Sequence, residues 1–527
     1  MPRRKTKLQA DNLVQGVSQQ VETKQTLNHC RDRQNIDGSI IHGNTKRPSL
    51  WFDDQLNIPP RTDQAEHFYH RDLTEQYLII AREDNLQVFD RLTNQEIPVT
   101  APQGFGYLNS PNSPSKDLCF LTLGDYTLVC NKTVTVQMTG VTTSEYRHQA
   151  LLYVTQGDYG TTYKVTINGV ERASVTTSDT DVDQTSTVWI AQQIKDQLRA
   201  NLPSGTYIVN GTGSVLYITV SAGLDFDITA TDSIGNDAIR TVKEQIQRFE
   251  DLPERAPHNY VVRVSQSVGR DEDDFFVRFV ADDPLSTESR GVWVETISPG
   301  VEFEIAKSTM PYFLVREANG TFTFRQGDWE DRVLGDDKTV PKASFIGQKI
   351  NHMFFFQNRL GFLSRGNLIT SRTASYFNFW RRSARTKIDS DPIDIAATTS
   401  KVLELHYAFP FDQRLVVFSD EAQLISEGGS SYTPANASLE VASEYECDVR
   451  TAPISVGTSI FFTVKKGRYS AVMEMQRVDN ADARLFADEI TEHVPHYLPE
   501  GRFKLCASSR SPSKLVLSNP GRTRAWT

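Results

Sequence analysis

Apolar positions along the chain occur mostly in short runs that are bounded by turn residues. Gln76–Ile80 and Leu86–Phe89 are two such runs on either side of a polar turn, and Asp117–Leu123 and Tyr126–Cys130 form another pair. Runs of this length, rich in β-branched and aromatic residues, are typical of β-hairpins. The pattern therefore predicts a mainly β fold.

One segment has a different period. Between Ser186 and Leu202, apolar residues recur every fourth position, which predicts an amphipathic helix. Ser186 or Thr187 is the candidate N-cap, and Pro203 ends the helix. Predicted strands flank this helix on both sides, at Leu151–Thr155, Tyr163–Ile167, Tyr207–Asn210 and Leu216–Val220. The segment therefore predicts a small α+β domain of β-β-α-β-β order, inserted into an otherwise β chain.

A hairpin pattern repeats in the second half of the chain. Arg359–Ser371 can be laid over Arg414–Ser426 at an offset of 55 residues, with Arg, Leu and two Ser coinciding. Ser459–Met475 is a looser copy, and the early hairpin Gln76–Phe89 has the same shape. Hairpins at this spacing suit the blades of a β-propeller, so we expect a split β-propeller-like body. A sandwich of unrelated hairpins is the alternative.

These patterns divide the chain into six regions. We expect a flexible basic N-terminus (1–12), an N-terminal β region with the first propeller-like hairpins (13–147), the inserted domain (148–245), a β linker or platform region (246–341), propeller-like blades (342–506) and an atypical, truncated C-terminus (507–527).

Composition narrows the class of protein. The 527 residues suit roughly two to four domains. The net charge of −10 argues against a protein that grips DNA over a broad surface, and the basic run Arg3–Lys7 fits a solvated tail. Five widely spaced cysteines without a C-x-x-C pair indicate folding in a reducing cytoplasm. We expect neither a signal peptide nor a membrane anchor.

Candidate chemistry is sparse in the sequence. The pairs His67/His70 and His493/His496 do not present two imidazoles to one metal in regular strand geometry. Asp389–Asp394 resembles a calcium loop only in part and is expected to be an Asp-Pro turn. The rings of Tyr376–Trp380 could stack on a sugar or base, but we expect them to fill a core. The sequence thus predicts no catalytic, cofactor-binding or metal site.

Several segments resemble one protein family. They are Asn12–Gln20, Lys46–Pro48, Asp125–Thr127, Leu252–Tyr260, Phe354–Ser364, Ser371–Phe379, Asp391–Asp394, Ser419–Gln423 and Ile490–Pro495. In this order they resemble the tail tubular protein B, or nozzle, family of short-tailed bacteriophages, over residues 12–506. Val21 stands where the family usually has proline, and members are usually longer. Ser511–Thr527 departs from the family pattern, which suggests a truncated or frameshifted end.

The resemblance implies a structural subunit of the virion tail, assembled in the bacterial host cytoplasm. In the family, a hexameric ring lies below a tail adaptor ring, docks tail fibres and lets viral DNA pass without sequence-specific binding. A virion-associated polysaccharide or peptidoglycan hydrolase is the alternative, because any of the 66 acidic residues could supply a carboxylate pair. A receptor-binding module is a third possibility.

The densest acidic loop is the candidate site for a DNA channel. Asp271, Glu272, Asp273 and Asp274 are four consecutive carboxylates. Adjacent like charges gain nothing in a packed core, so we expect all four to face solvent. A channel wall that is neutral or acidic would let DNA pass without retention. An outer surface loop is the plainer interpretation.

Overall fold

The structure is a computed structural model. It describes residues 13–21, 23–39, 41–47, 56, 63–144, 146–221, 223–265, 274–284, 289–399, 401–427, 431–477, 485–508, 514–518 and 525–526. The fold is mainly β, with 44% strand and 7% helix, and it consists of many sheets of which none closes on itself. The predicted mainly β class is confirmed.

In the first half of the described chain the strands are β1 (Ile36–Ser39), β2 (Gly43–Lys46), β3 (Ala65–His70), β4 (Gln76–Ala81), β5 (Leu86–Asp90), β6 (Glu96–Ile97), β7 (Val99–Thr100), β8 (Leu118–Leu123), β9 (Tyr126–Asn131), β10 (Gln149–Val154), β11 (Thr162–Ile167), β12 (Val170–Thr176), β13 (Tyr207–Thr212), β14 (Val215–Val220), β15 (Ile228–Asp232), β16 (Ile239–Val242), β17 (Gln245–Ile246) and β18 (Val261–Val264). The α-helices are α1 (Pro114–Asp117) and α2 (Thr187–Asn201).

In the second half they are β19 (Phe275–Ala281), β20 (Gly291–Thr296), β21 (Tyr312–Arg316), β22 (Phe322–Gln326), β23 (His352–Phe356), β24 (Arg359–Ser364), β25 (Asn367–Thr370), β26 (Ile393–Ala396), β27 (Leu405–Phe411), β28 (Arg414–Ser419), β29 (Gln423–Glu427), β30 (Ser438–Ser443), β31 (Ile454–Val456), β32 (Ser459–Lys466), β33 (Tyr469–Arg477), β34 (Leu485–Glu489), β35 (Lys504–Ser508), β36 (Lys514–Ser518) and β37 (Ala525–Trp526). Short 3₁₀ turns lie at Gly106–Leu108, Val182–Thr185, Phe249–Asp251 and Lys307–Thr309.

Six sheets make up the part of the fold that we call the body. Sheet I is β3–β6, sheet III is β23–β26, sheet IV is β27–β30 and sheet V is β31–β34, and each is an antiparallel meander of four strands in chain order. Sheet VI contains β35–β37, and sheet II has the order β7-β22-β21-β9-β8. The predicted hairpins of β4–β5 and β8–β9 are confirmed. The repeated hairpins starting at Arg359 and Arg414 form the two middle strands of sheets III and IV.

Each body sheet shares an apolar core with the next one along the chain. One buried pair from each core is Ile79 with Leu314 (sheets I and II), Phe313 with Phe362 (II and III), Leu363 with Val417 (III and IV), Phe418 with Phe462 (IV and V), and Val472 with Leu505 (V and VI). The last sheet also contacts the first, because Lys504 Nζ lies 3.0 Å from Glu66 Oε2. The burial of apolar faces between successive sheets is the main stabilising contribution to the body.

Sheet II is completed by strands that are far apart in sequence. The chain leaves it after β9 and returns with β21, which pairs antiparallel to β9 with Leu314 opposite Thr127. On the way out and back, residues 135–143 run beside residues 298–309, and we call this pair of segments the stalk. Bridges between Met138 and Ile305 and between Thr142 and Glu302 hold it together. Everything between these segments is therefore inserted into sheet II.

The first part of the insertion is a sandwich of two sheets and one helix. β13-β14-β10-β16 faces β12-β11-β15, and a core of its own lies between them. The predicted helix is confirmed as α2, with Ser186 at the N-cap position and Ile190, Ile194 and Leu198 buried. Asn168 and Gly169 have positive φ, which the tight turn between β11 and β12 requires. β12, β15 and β16 were not predicted.

Helix α2 covers one open edge of each sheet in the sandwich. The Gln197 side chain accepts from the backbone N–H of Ser174 at 2.8 Å and donates to its C=O at 3.0 Å, so it bonds the edge of β12 as a neighbouring strand would. On the other side, Lys195 Nζ donates to the C=O of Gly211, at the edge of β13, at 2.7 Å. Polar side chains on the helix thus satisfy edge groups that would otherwise invite pairing with another chain.

The second part of the insertion is the sheet β17-β18-β19-β20, which we call the platform sheet. It packs on the outer face of the sandwich through a core that joins Leu151 and Tyr153 of β10 with Tyr260, Phe275 and Phe279. The Tyr260 hydroxyl donates to the backbone C=O of Val242, on the sandwich side, at 2.9 Å. The sandwich and the platform sheet therefore form one packed unit.

Candidate functional site

The acidic loop lies between β18 and β19 of the platform sheet. Asp274 is the one member within the described residues, and it is only 3% exposed. Its carboxylate accepts a hydrogen bond from Arg263 Nε at 2.8 Å and forms an ion pair with the same guanidinium. The β18–β19 pairing sets Val264 opposite Phe275, which brings Arg263 and Asp274 together. The expectation that all four carboxylates face solvent is wrong for Asp274, and Asp271, Glu272 and Asp273 lie outside the described residues.

The Asp389–Asp394 segment forms a turn that its own carboxylates and a buried arginine hold in place. Asp391 is 1% exposed and accepts hydrogen bonds from the backbone N–H groups of Arg382 and Ile388, both at 3.0 Å. Asp394 accepts from the backbone N–H of Ser344 at 2.7 Å. The predicted structural turn is confirmed, because these oxygens are already engaged by protein donors.

The paired histidines occupy separate environments. His67 stacks on Phe120 with ring centroids 5.3 Å apart and its Nε2 lies 2.8 Å from Thr122 Oγ1, whereas His70 is exposed. Burial lowers the pKa of His67 to about 4, so the imidazole is neutral at pH 7. The ring of His496 packs on Tyr469. Within the described residues, no group of three His, Cys, Asp or Glu side chains is placed to hold a metal ion.

The aromatic segment Tyr376–Trp380 fills the core between sheets II and III. Phe379 stacks on Phe362 at 4.9 Å, and Phe377 packs on Phe313 at 4.6 Å. The Trp380 indole N–H donates to the backbone C=O of Glu330 at 3.1 Å. The interpretation as packing is confirmed, and these rings do not form a stacking platform for a ligand.

A polar groove at the edge between sheets IV and V was not predicted. It measures about 480 Å³ and is lined by Asp420, Glu421, Glu446, Cys447, Asp448, Val449, Arg450 and Lys465. Ion pairs hold part of this lining, with Arg450 Nη2 at 2.6 Å from Asp448 Oδ2 and Lys465 Nζ at 3.0 Å from Glu500 Oε1. Burial raises the pKa of the Cys447 thiol to about 12. The residues come from three separate segments, so no local pattern marks them.

The candidate residues that the structure describes act in packing, turns and ion pairs. Successive sheets along the chain are joined by shared apolar cores. In the described part of the chain, no helix is long and apolar enough to cross a bilayer. These features define a mainly β protein built from many sheets.

The chain belongs to the bacteriophage nozzle protein family, because the sequence profile of that family matches residues 6–526. It is 33% identical over 519 residues to the tail tubular protein gp12 of Escherichia phage T7, an alignment that covers 96% of this chain. The chain spans 64% of the length of that relative. The predicted family is confirmed. The match continues past residue 506 to residue 526, so the prediction that Ser511–Thr527 departs from the family is wrong.

A solved structure of an auxiliary nutrient binding protein from Bacteroides thetaiotaomicron also aligns with this chain. The alignment covers 74% of this chain and 96% of the other, at 10% identity and a TM-score of 0.21. That score is too low to support an inference about the fold or the function.

Proposed function

We propose that this protein is a non-catalytic structural subunit of the short tail of a bacteriophage and forms the distal nozzle of the tail tube. The observation that carries the proposal is the family match over residues 6–526, together with 33% identity to a tail tubular protein. The match does not support the hydrolase alternative. The functional expectation drawn from the sequence therefore stands, and the tail of the virion is the proposed location.

The six body sheets are the proposed blades of a β-propeller-like ring. Two features support this arrangement: successive sheets share cores, and the ion pair between Lys504 and Glu66 links the last sheet to the first. Arg502 adds a second link, because its guanidinium donates to the Ser115 hydroxyl, beside sheet II, at 2.8 Å. A ring of meanders leaves only short strand edges exposed, which suits a protein that must assemble without aggregating.

A cysteine pair tests ring closure. In the double variant Lys504→Cys/Glu66→Cys, a short flexible bis-maleimide should cross-link the two cysteines within one chain, because it can span the gap that the lysine and glutamate side chains bridge. The matched control is Lys504→Cys/Glu96→Cys, because Glu96 lies on β6, at the opposite edge of sheet I. Equal cross-linking of both pairs, or none in the first, would rule out the closed ring.

The proposed assembly is a ring of six copies below the tail adaptor ring, with docking surfaces for tail fibres and a lumen through which DNA passes. A cyclic hexamer requires each subunit to use two different faces, and the body and the insertion offer separate surfaces. The net charge of −10 is compatible with a lumen that does not retain DNA.

Native mass spectrometry and electron microscopy of the purified chain, over a range of concentrations, test the assembly. We expect six-membered rings that form as concentration rises. A trimer would instead favour the receptor-binding module. A chain that stays monomeric at every concentration would exclude the proposed six-membered ring. Incubation with host polysaccharide, followed by measurement of reducing ends, should give no release above that of heat-treated protein.

A further inference from the structure

Two free cysteines face each other across the β8–β9 hairpin. Cys119 and Cys130 are direct partners in the antiparallel register, and both side chains point to the core between sheets II and III. Directly opposed residues in an antiparallel pair have Cα atoms about 4.5–5.5 Å apart. A disulfide spans Cα distances of about 4.4–6.8 Å. The backbone therefore already holds these thiols at bonding range.

The two thiols differ in the direction of their pKa shifts and in exposure. A hydrogen bond from Cys130, the positive charge of Lys132 and the backbone N–H of Met353 lower the pKa of the Cys119 thiol, against the opposing effect of burial. The same hydrogen bond, together with burial, raises the pKa of Cys130. Cys119 is partly exposed, whereas Cys130 is 1% exposed. A partly exposed cysteine with a lowered pKa, directly opposite a buried cysteine, is the arrangement of an attacking and a resolving thiol.

We propose that Cys119 and Cys130 are a redox-active pair that closes to a disulfide when the protein meets a small-molecule disulfide such as oxidised glutathione. The Cys119 thiolate attacks one sulfur of the reagent, forming a mixed disulfide and releasing one glutathione thiolate. Cys130 then attacks Cys119 Sγ and passes its proton to the departing glutathione sulfur, so that the second glutathione leaves as a thiol. Two protein thiols are oxidised and one glutathione disulfide is reduced to two glutathione molecules.

The position of the pair gives the bond a structural consequence. Cys130 is on β9, the strand after which the chain leaves sheet II for the stalk and the insertion. A disulfide would tie that strand to β8 and stiffen the root of the stalk. If the protein is a tail subunit, as proposed above, the bond would form only after the virion leaves the reducing cytoplasm. The thiol chemistry itself does not depend on that role.

Peptide mapping without reduction tests the proposal on the wild-type chain. Cleavage after Lys116 and Lys132 yields one tryptic peptide, Asp117–Lys132, which contains both cysteines and none of the other three. The protein is incubated with oxidised glutathione and then alkylated before cleavage. We expect this peptide to carry an internal disulfide and no alkyl groups. Dithiothreitol should then reduce the disulfide and restore both thiols. Cys447 should remain a free thiol because it is buried.

Single variants separate the roles of the two cysteines. In Cys130→Ser the reaction should stop at glutathione attached to Cys119, whereas in Cys119→Ser the buried Cys130 should stay unmodified. Cys506→Ser is the control, because it removes an exposed cysteine and should leave the pair unaffected. Doubly alkylated Asp117–Lys132 peptide in the folded wild type after glutathione disulfide treatment would overturn the proposal, as would attack by Cys130 in Cys119→Ser. Because the mapping uses wild-type protein, poor folding of a variant does not prevent the test.

Discussion

Arg359 donates a guanidinium N–H to the backbone carbonyl of Asp391 at 2.6 Å, although Arg359 is fully buried. The same guanidinium also donates to the carbonyls of Ser371 and Asp389, at 2.9 and 2.7 Å. Burial lowers the pKa of this arginine, which has no carboxylate within its hydrogen-bonding shell in the described residues. One side chain thus fixes both ends of the long connection between β25 and β26, whose aromatic residues fill the core.

Arg359→Lys should destabilise the fold by about 3 kcal/mol, since a lysine cannot reach three carbonyls and leaves buried acceptors unsatisfied. The repeat supplies a matched control in Arg414, at the equivalent position of sheet IV, which is partly exposed and pairs with Glu427 at 2.9 Å. Arg414→Lys should cost less than about 1 kcal/mol. Urea unfolding measures both, and equal losses would contradict the role assigned to Arg359.

His67 should make stability depend on pH. Its pKa is lowered to about 4 by burial, so the unfolded chain, with an ordinary pKa near 6.5, binds the proton more readily. Stability therefore falls as pH drops from about 6.5 to about 4, by on the order of 3 kcal/mol from this group. His67→Gln should flatten the unfolding profile in that window. His70→Gln is the control, because His70 lies on the same strand but is exposed. If the stability of His67→Gln fell with pH in parallel with that of the wild type, the role assigned to His67 would be wrong.

Removal of the insertion should succeed only if the whole packed unit is removed. Deleting residues 148–245 takes away Leu151 and Tyr153 and exposes Tyr260, Phe275 and Phe279 of the platform sheet, so that variant should aggregate. Deleting residues 146–296 and joining the stalk ends with a short glycine linker removes both halves of that core. Thr143 Oγ1 donates to the Ser298 carbonyl at 2.6 Å, so the ends already meet. Size-exclusion chromatography should show a soluble body only for the longer deletion.

A role in DNA passage stays a prediction for Asp271, Glu272 and Asp273, the three carboxylates of the acidic loop that lie outside the described residues. Replacing Asp271, Glu272 and Asp273 by the matching amides should leave tail assembly intact and slow genome ejection at low salt, with a smaller effect at high salt. Asp274→Asn is the contrasting variant. It leaves Arg263 without its buried partner and should lower the thermal unfolding midpoint instead. Ejection kinetics that do not change at low salt would remove the loop from the DNA path.

Local structure could be predicted well from the sequence. The β8–β9 hairpin follows from two apolar strands around Gly124 and Asp125, and α2 follows from a period of four apolar residues ended by Pro203. The coincidence of Arg359 with Arg414 correctly marked the second strands of sheets III and IV. In each case the partners are close in sequence, so pattern and turn chemistry suffice. The pairing of Cys119 with Cys130 follows from the same hairpin, because the two cysteines are symmetric about its turn.

Long-range relationships were decided by the tertiary structure alone. The pairing of β9 with β21 joins segments separated by the whole insertion, and the groove between sheets IV and V collects residues from three segments. Asp274 belongs to an acidic run that favours exposure, yet the β18–β19 register buries it beside the half-buried Arg263, with which it forms an ion pair. A sequence pattern reports which side of a strand is apolar, but not which distant face will cover it. That choice depends on the packing of the complete chain, where burial and ion pairing override the local preference for solvent.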